Sequence, residues 1–196
     1  MKPRVAIFIS GRGSNMEALI NAARAPGFPA QIALVLANKP DAAGLEIAKA
    51  LGIEAIAVDA KAFGKDREAH ERAIHAELVK RDIHLVCLAG YMRLLTPWLV
   101  RNWQGRMLNI HPSLLPKFPG LDTHARALAA GETEHGCTVH LVTEGMDEGP
   151  VIGQARVDIL PDDDEHSLAE RVLAQEHLLY PAMLAKLAEQ YEIERR

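Results

Sequence analysis

An apolar run over residues 4–10, unbroken from Val5 to Ile9, feeds directly into Gly11-Arg12-Gly13-Ser14-Asn15, after which Met16, Leu19, Ile20 and Ala23 fall on one face at helical spacing. A strand apolar at every position suits burial on both faces, so it needs helices above and below it. The alternation then repeats. Strands are predicted over residues 31–37, 54–58, 85–89 and 107–110. Helices are predicted over 43–51, stopped by Gly52, over 67–80, after Thr96-Pro97, and over 124–130, closed by Gly131. Near the end the pattern changes to two consecutive strands, 137–143 and 150–159, with no helix between them. Ser14 with Glu17 and Ser167 with Glu170 have capping-box spacing. The second pair opens a long helix in which Leu168, Val172, Leu179 and Leu184 share a face, and Pro181 is expected to kink it. The acidic residues 162–165 read as a solvated loop. These elements predict one α/β domain over residues 1–196, a mainly parallel twisted sheet with helices on both faces.

A chain of 196 residues with 48% hydrophobic composition can bury a full core of that kind. Its net charge of -4, with no lysine- or arginine-rich run, argues against nucleic acid or an anionic membrane as the main partner and favours a small substrate. No apolar run reaches the ~18 residues of a spanning helix, and residues 1–4 run into the first strand without a cleavage pattern. A cytoplasmic protein is expected. Cys87 and Cys137 lie in apolar strand-like stretches and read as buried free thiols.

In open α/β sheets ligands bind at the carboxyl ends of the strands, where the winding reverses. Three polar loops follow predicted strands, at 11–15, 90–96 and 111–123. The first begins like a dinucleotide motif but has Met16 at the third glycine position, and it lacks the lysine of a P-loop. It remains either an anion site at a helix N-terminus or an ordinary helix start. In the second, Tyr91-Met92-Arg93-Leu94-Leu95 suits core packing or a slot for a flat heterocycle. In the third, a short strand delivers Asn109 and His111 into a loop stiffened by Pro112, Pro116 and Pro119. The histidines do not have metal-ligand spacing, because His135 and His140 would face opposite sides of a strand and His70 and His75 lie about 140° apart on a helix. No metal is expected. His140 reads as a satisfied group in or behind the site, and His70, His75 and His84 as surface residues.

The segments Ile9-Ser10-Gly11-Arg12-Gly13-Ser14-Asn15, Leu88-Ala89-Gly90-Tyr91-Met92-Arg93, Asn109-Ile110-His111-Pro112-Ser113-Leu114-Leu115-Pro116, His135-Gly136-Cys137-Thr138-Val139-His140, Asp147-Glu148-Gly149-Pro150-Val151-Ile152 and Gln175-Glu176-His177 occur in one order. Together they resemble the phosphoribosylglycinamide formyltransferase family, from Val5 to about Pro181. The resemblance implies a Rossmann-like formyltransferase fold. It also implies transfer of formyl from 10-formyltetrahydrofolate, the co-substrate, to the amine of glycinamide ribonucleotide in purine biosynthesis, by a monomer or weak homodimer. It makes Asn109, His111 and Asp147 the catalytic group, with Asp147 favouring the imidazolium form of His111. It places the substrate phosphate on Gly13, Ser14 and Asn15 and the glycinamide or ribose near Glu176. The folate would contact Arg67, Met92, Arg93, Leu94, Leu95 and Asn109, together with Thr143, Glu144, Gly145, Met146 and Asp147. Asp122 stands where some relatives have a histidine, which puts a second carboxylate in this neighbourhood. Leu173 replaces a polar residue, which removes a phosphate contact expected from that turn.

Formyl transfer makes matching physical demands. The carbonyl oxygen becomes an oxyanion and needs donors that do not have to reorganise, which an amide and an imidazolium two residues apart on a strand can supply. Methionyl-tRNA formyltransferases and formyltetrahydrofolate deformylases share a similar core but add a second domain, for which this chain is expected to have no room. A formyltetrahydrofolate hydrolase and a non-catalytic phosphosugar-binding module stand as the alternatives.

Overall fold

A computed structural model describes residues 1–194. Strand β1, Arg4–Ile9, lies inside the sheet, and the placement of its side chains explains why it is apolar from Val5 onward. Val5, Ile7 and Ile9 face one layer, where Met16 and Leu19 of α1 (Ser14–Ala23) and Leu168, Val172 and Leu184 of α6 (Glu165–Glu194) pack. Ala6 and Phe8 face the other, against Ile74 and Leu78 of α3 (Arg67–Lys80) and Leu99 of α4 (Pro97–Asn102). Each turn of sequence therefore contributes to one of two cores separated by the sheet.

The seven strands lie in the order β3-β2-β1-β4-β5-β6-β7. Strands β3 (Ala55–Ala57), β2 (Gln31–Ala37), β1, β4 (Leu85–Leu88) and β5 (Met107–His111) are parallel. The winding reverses between β1 and β4, which opens a crevice at their carboxyl ends. The last two strands, β6 (Glu134–Leu141) and β7 (Val151–Asp158), follow one another without a helix as the sequence predicts; they form an antiparallel pair, and β6 also pairs antiparallel with β5. Helices α2 (Ala43–Ala50) and α5 (Thr123–Ala129) complete the fold, with a short 3-10 turn at Ala60–Phe63 that the sequence reading lacks.

Several local expectations are corrected. Ser14 does not cap α1. Gly13, at φ 76°, occupies the N-cap position in a left-handed conformation, and Ser14 is the first helical residue. At α6 the reciprocal box sits three residues earlier than expected. Asp164 Oδ1 accepts from the Ser167 N–H at 2.8 Å, while Ser167 Oγ accepts from the Asp164 N–H at 3.1 Å. The acidic run is a loop up to Asp164, exposed at 162 and 164 as expected, and only Glu165 enters the helix; Asp163 ties the loop to Arg171 at 2.7 Å. Helix α6 runs without a break through Pro181, which is buried. Strand β6 begins at Glu134, three residues before the expected start.

The three supposed surface histidines all have structural roles. His70 is 1% exposed, with Nε2 2.8 Å from the Val58 carbonyl. His75 accepts from Trp103 Nε1 at 3.2 Å, and His84 Nδ1 accepts from the Arg4 N–H at 3.0 Å. Cys87 and Cys137 are buried and free, as expected, and burial pushes both thiols up to about 12. Among the described residues no helix is long and apolar enough to cross a membrane.

Candidate active site

The β5–β6 register assembles the first part of the site. Asn109 lies opposite His140 and His111 opposite Thr138, so each pair shares a face of the sheet. Asn109 Nδ2 is 3.2 Å from His140 Nε2. His140 Nδ1 faces the Leu141 carbonyl at 3.0 Å and carries the proton there, which leaves Nε2 to accept from the amide. An amide nitrogen has two hydrogens. His140 takes one, and the other is available to a substrate oxygen. His140 is therefore a buried group that orients Asn109, as the sequence reading of a satisfied site neighbour anticipates.

His111, 6% exposed, ends β5. Its Nε2 donates to the Phe118 carbonyl at 2.9 Å. Phe118 adopts a left-handed conformation, φ 54°, in the loop that leaves the strand. That loop is held by side chains at nearly every turn. Thr138 Oγ1 accepts from the Leu115 N–H at 3.0 Å and from Gln154 Nε2 at 2.9 Å, and donates to the Ser113 carbonyl at 2.7 Å. Ser113 Oγ donates to the Lys117 carbonyl at 2.6 Å, Thr123 Oγ1 to the Pro112 carbonyl at 2.6 Å, and Arg126 to the Pro119 carbonyl at 2.6 Å. The expected stiffness thus has a second source beyond proline, because donors from β6, β7 and α5 satisfy its carbonyls. Below it His135 Nε2 lies 3.2 Å from His124 Nδ1, and burial, then the charges of His124 and His111, push His135 down to about 4.

Asp147 reaches the same point from the β6–β7 connection. Its Oδ2 accepts from the Gly120 N–H at 2.9 Å and lies 3.4 Å from His111 Nδ1, while Oδ1 is 3.7 Å from His140 Nε2. The connection closes tightly because Gly149 lacks a side chain, since a Cβ there would lie 1.7 Å from the Leu141 carbonyl oxygen. Burial pushes the Asp147 carboxyl up, but the Gly120 N–H and the charge of His111 outweigh it, so the group stays below the ordinary carboxylate range. Both ring nitrogens of His111 thereby face acceptors, a carbonyl and a carboxylate. Only an imidazolium can donate to both.

The model of the formyl transferase family matches residues 3–184. The chain belongs to that family. Among solved relatives, the phosphoribosylglycinamide formyltransferase from Brucella melitensis superposes with a TM-score of 0.92 at 56% identity, covering 96% of each chain. The phosphoribosylglycinamide formyltransferase of Escherichia coli (strain K12) is 44% identical over 94% of this chain and 87% of its own length. A trifunctional purine biosynthetic protein, adenosine-3, from Drosophila melanogaster is 50% identical, but the chain spans only 14% of that protein's length.

Within this formyl transferase the other expected site residues fall at the crevice unevenly. Gly13, Ser14 and Asn15 open α1 beside α6, where Asn15 Nδ2 donates to Glu176 Oε2 at 2.7 Å. Burial pushes the Glu176 carboxyl up, against the pull of that hydrogen bond. Asn15 Oδ1 is buried without a partner. Leu173 is half-buried one turn earlier on α6. After β4, Met92 and Leu94 are exposed, Arg93 is half-exposed, and Leu95 packs with Tyr91 into the second core. The core reading of this segment thus holds for Tyr91 and Leu95, while Met92 and Leu94 face outward. Arg67 is exposed at the first position of α3. In the 143–147 loop Thr143, Glu144 and Met146 are exposed, Gly145 is half-exposed, and Glu144 pairs with Arg101 of α4 at 2.7 Å. Asp122 is an exposed residue at the left-handed N-cap of α5, with no side-chain capping bond. The sequence reading missed the Gly120 N–H as a partner of Asp147 and the Phe118 carbonyl as a partner of His111. Backbone groups leave no side-chain signal, so only the loop conformation reveals them.

Proposed function

We propose that this chain transfers the formyl group of 10-formyltetrahydrofolate to the amine of glycinamide ribonucleotide, giving formylglycinamide ribonucleotide and tetrahydrofolate. The observation that carries the reading is the convergence of Asn109, His111 and Asp147, from one strand end and one distant loop, inside a chain of this family. The amine attacks the formyl carbon as its neutral form, and negative charge builds on the formyl oxygen. The free hydrogen of the Asn109 amide and the Nδ1–H of His111 are the donors for that oxygen. At 3.4 Å the His111–Asp147 contact is longer than the ~2.7–2.9 Å of a charge-assisted hydrogen bond. Asp147 is thus close enough to favour the imidazolium without engaging its Nδ1–H in a short hydrogen bond, so an oxyanion arriving beside the carboxylate can share that donor. No side chain forms a covalent intermediate. A proton lost by the attacking nitrogen passes through water beside Asp147 to the departing folate nitrogen.

Supporting the ribonucleotide placement, Gly13 starts α1 so that its first N–H groups, which have no intrahelical acceptor, open on the crevice. The unpartnered Asn15 Oδ1 beside Glu176 fits a ligand that brings a donor, such as a sugar hydroxyl or an amide. The exposed Met92 and Leu94, with Arg67 and the 143–147 loop, form the folate side. Purified protein given 10-formyltetrahydrofolate should release tetrahydrofolate only when glycinamide ribonucleotide is present. Release independent of the amine would instead make the chain a hydrolase, and binding of the ribonucleotide without turnover would make it a binding module. Asn15→Leu should weaken the ribonucleotide about tenfold or more and leave folate binding intact.

A further inference from the structure

Glu71 is a buried carboxylate that this chemistry does not use. It is 3% exposed on α3, and both of its oxygens are committed to one residue. The Thr96 N–H donates to Oε1 at 2.8 Å, and the Thr96 hydroxyl donates to Oε2. Thr96 is the N-cap residue of α4, yet it makes no side-chain capping bond, so its hydroxyl is diverted from the helix end it would ordinarily serve. Burial pushes the Glu71 carboxyl up, while the Thr96 hydrogen bonds and the charges of Arg67 and Arg93 act against it. A link whose only task was to join α3 to α4 would be made more cheaply by apolar packing.

What Thr96 closes is the 92–95 segment. At the segment's other end the Met92 N–H donates to Ser10 Oγ at 2.8 Å, and Ser10 Oγ donates to Asn38 Oδ1 at 2.6 Å. Between these two fixed ends Leu95 turns into the core while Met92 and Leu94 stay 66% and 59% exposed. The segment is held from both ends by buried side chains of other elements and presents its apolar groups outward. Arg67 lies four residues before Glu71 on α3, and hence on the same face.

We propose that Glu71 is a positioning residue for the folate: by holding both donors of Thr96 it fixes the 92–95 segment and sets its register against Arg67. One helix then places both the slot for the flat ring and the cation for the anionic tail. The inference rests on the folate placement given above, and the experiment separates the two.

Steady-state kinetics should be measured on Glu71→Gln, Thr96→Val, the double variant and Leu94→Asp, each with its denaturation midpoint. A glutamine keeps an acceptor for the Thr96 N–H, but it loses the carboxylate charge, and its NH2 meets a hydroxyl that must stop donating and accept instead. Glu71→Gln should raise the KM for 10-formyltetrahydrofolate about tenfold, with kcat and the KM for glycinamide ribonucleotide within about twofold of the parent. Thr96→Val should shift the folate KM the same way, and the double variant should be no worse than the worse single one. Should Glu71→Gln not fold, Thr96→Val alone must show the selective shift. A raised folate KM in Leu94→Asp but not in Glu71→Gln or Thr96→Val would overturn the role of Glu71. Both KM values rising together with a lowered midpoint would make Glu71 a plain buttress, which also overturns it. An unchanged folate KM in Leu94→Asp would instead remove the folate placement, and this inference with it.

Discussion

Two loops meet at His111, and they are held in opposite ways. The 112–122 loop is bound by Thr138, Gln154, Thr123 and Arg126 from three different elements, and Thr138 is wholly buried. The 142–149 loop has Thr143, Glu144, Met146 and Glu148 exposed, and is tied by the Asp147–Gly120 hydrogen bond, the longer approaches of Asp147 to His111 and His140, and the exposed Arg101–Glu144 pair. Geometry and charge thus come from different places. The braced loop fixes where the His111 ring lies, and the lightly tied loop brings a carboxylate to 3.4 Å from its Nδ1. Both spend backbone strain near the site, at Phe118 and Asp147, with φ of 54° and 56°.

The largest effect is expected at the strand end that both loops serve. Asn109→Ala should lower kcat by on the order of a hundredfold or more, the usual cost of removing one preorganised donor, measured where chemistry limits the rate. An unchanged kcat would dissolve the distinction between a geometric and an electrostatic partner. Next comes the brace. Thr138→Val leaves the Leu115 N–H without its acceptor, and the Ser113 carbonyl and the Gln154 amide each lose one bond, so it should cost about 1–3 kcal/mol in denaturant unfolding and lower kcat with it. If activity stays level while stability falls, the loop need not be stiff.

A smaller effect lies beneath that loop. His135 is held well below its ordinary value, so it favours the folded state when neutral. That contribution is fully present above the ordinary ~6.5 and is lost as pH falls through about 4. Unfolding midpoints followed over that window should decline less steeply in His135→Asn than in the parent. The smallest effect belongs to the other loop. Arg101→Ala breaks an exposed ion pair and should leave the unfolding midpoint unchanged, and a clear drop would mean that the 142–149 connection is braced after all.

The sequence revealed the elements that bury one face or two. The alternation of strand and helix and the two consecutive strands at the end follow from apolar runs and glycine stops, whereas Asp147 joined Asn109 and His111 as a candidate only through the family resemblance. What it concealed depends on partners distant in sequence. The pairing of Asn109 with His140 is set by β5–β6 register, and the N-cap of α1 fell to Gly13 because a left-handed residue, not a hydroxyl, ends the turn. His70 and Glu71 look like the polar face of a charged helix until Val58 and Thr96 are seen to receive them. Periodicity assigns faces to residues, but it is silent about which polar side chains have a buried partner waiting.

The central claim is that Asp147 keeps His111 doubly protonated at the pH where the amine attacks. The direct measurement is 15N NMR of the His111 ring near neutral pH in the parent and in Asp147→Asn, which keeps the volume and removes the charge. The account predicts two protonated ring nitrogens in the parent and a largely neutral ring in the variant, with turnover falling alongside. A ring equally protonated in both would contradict it.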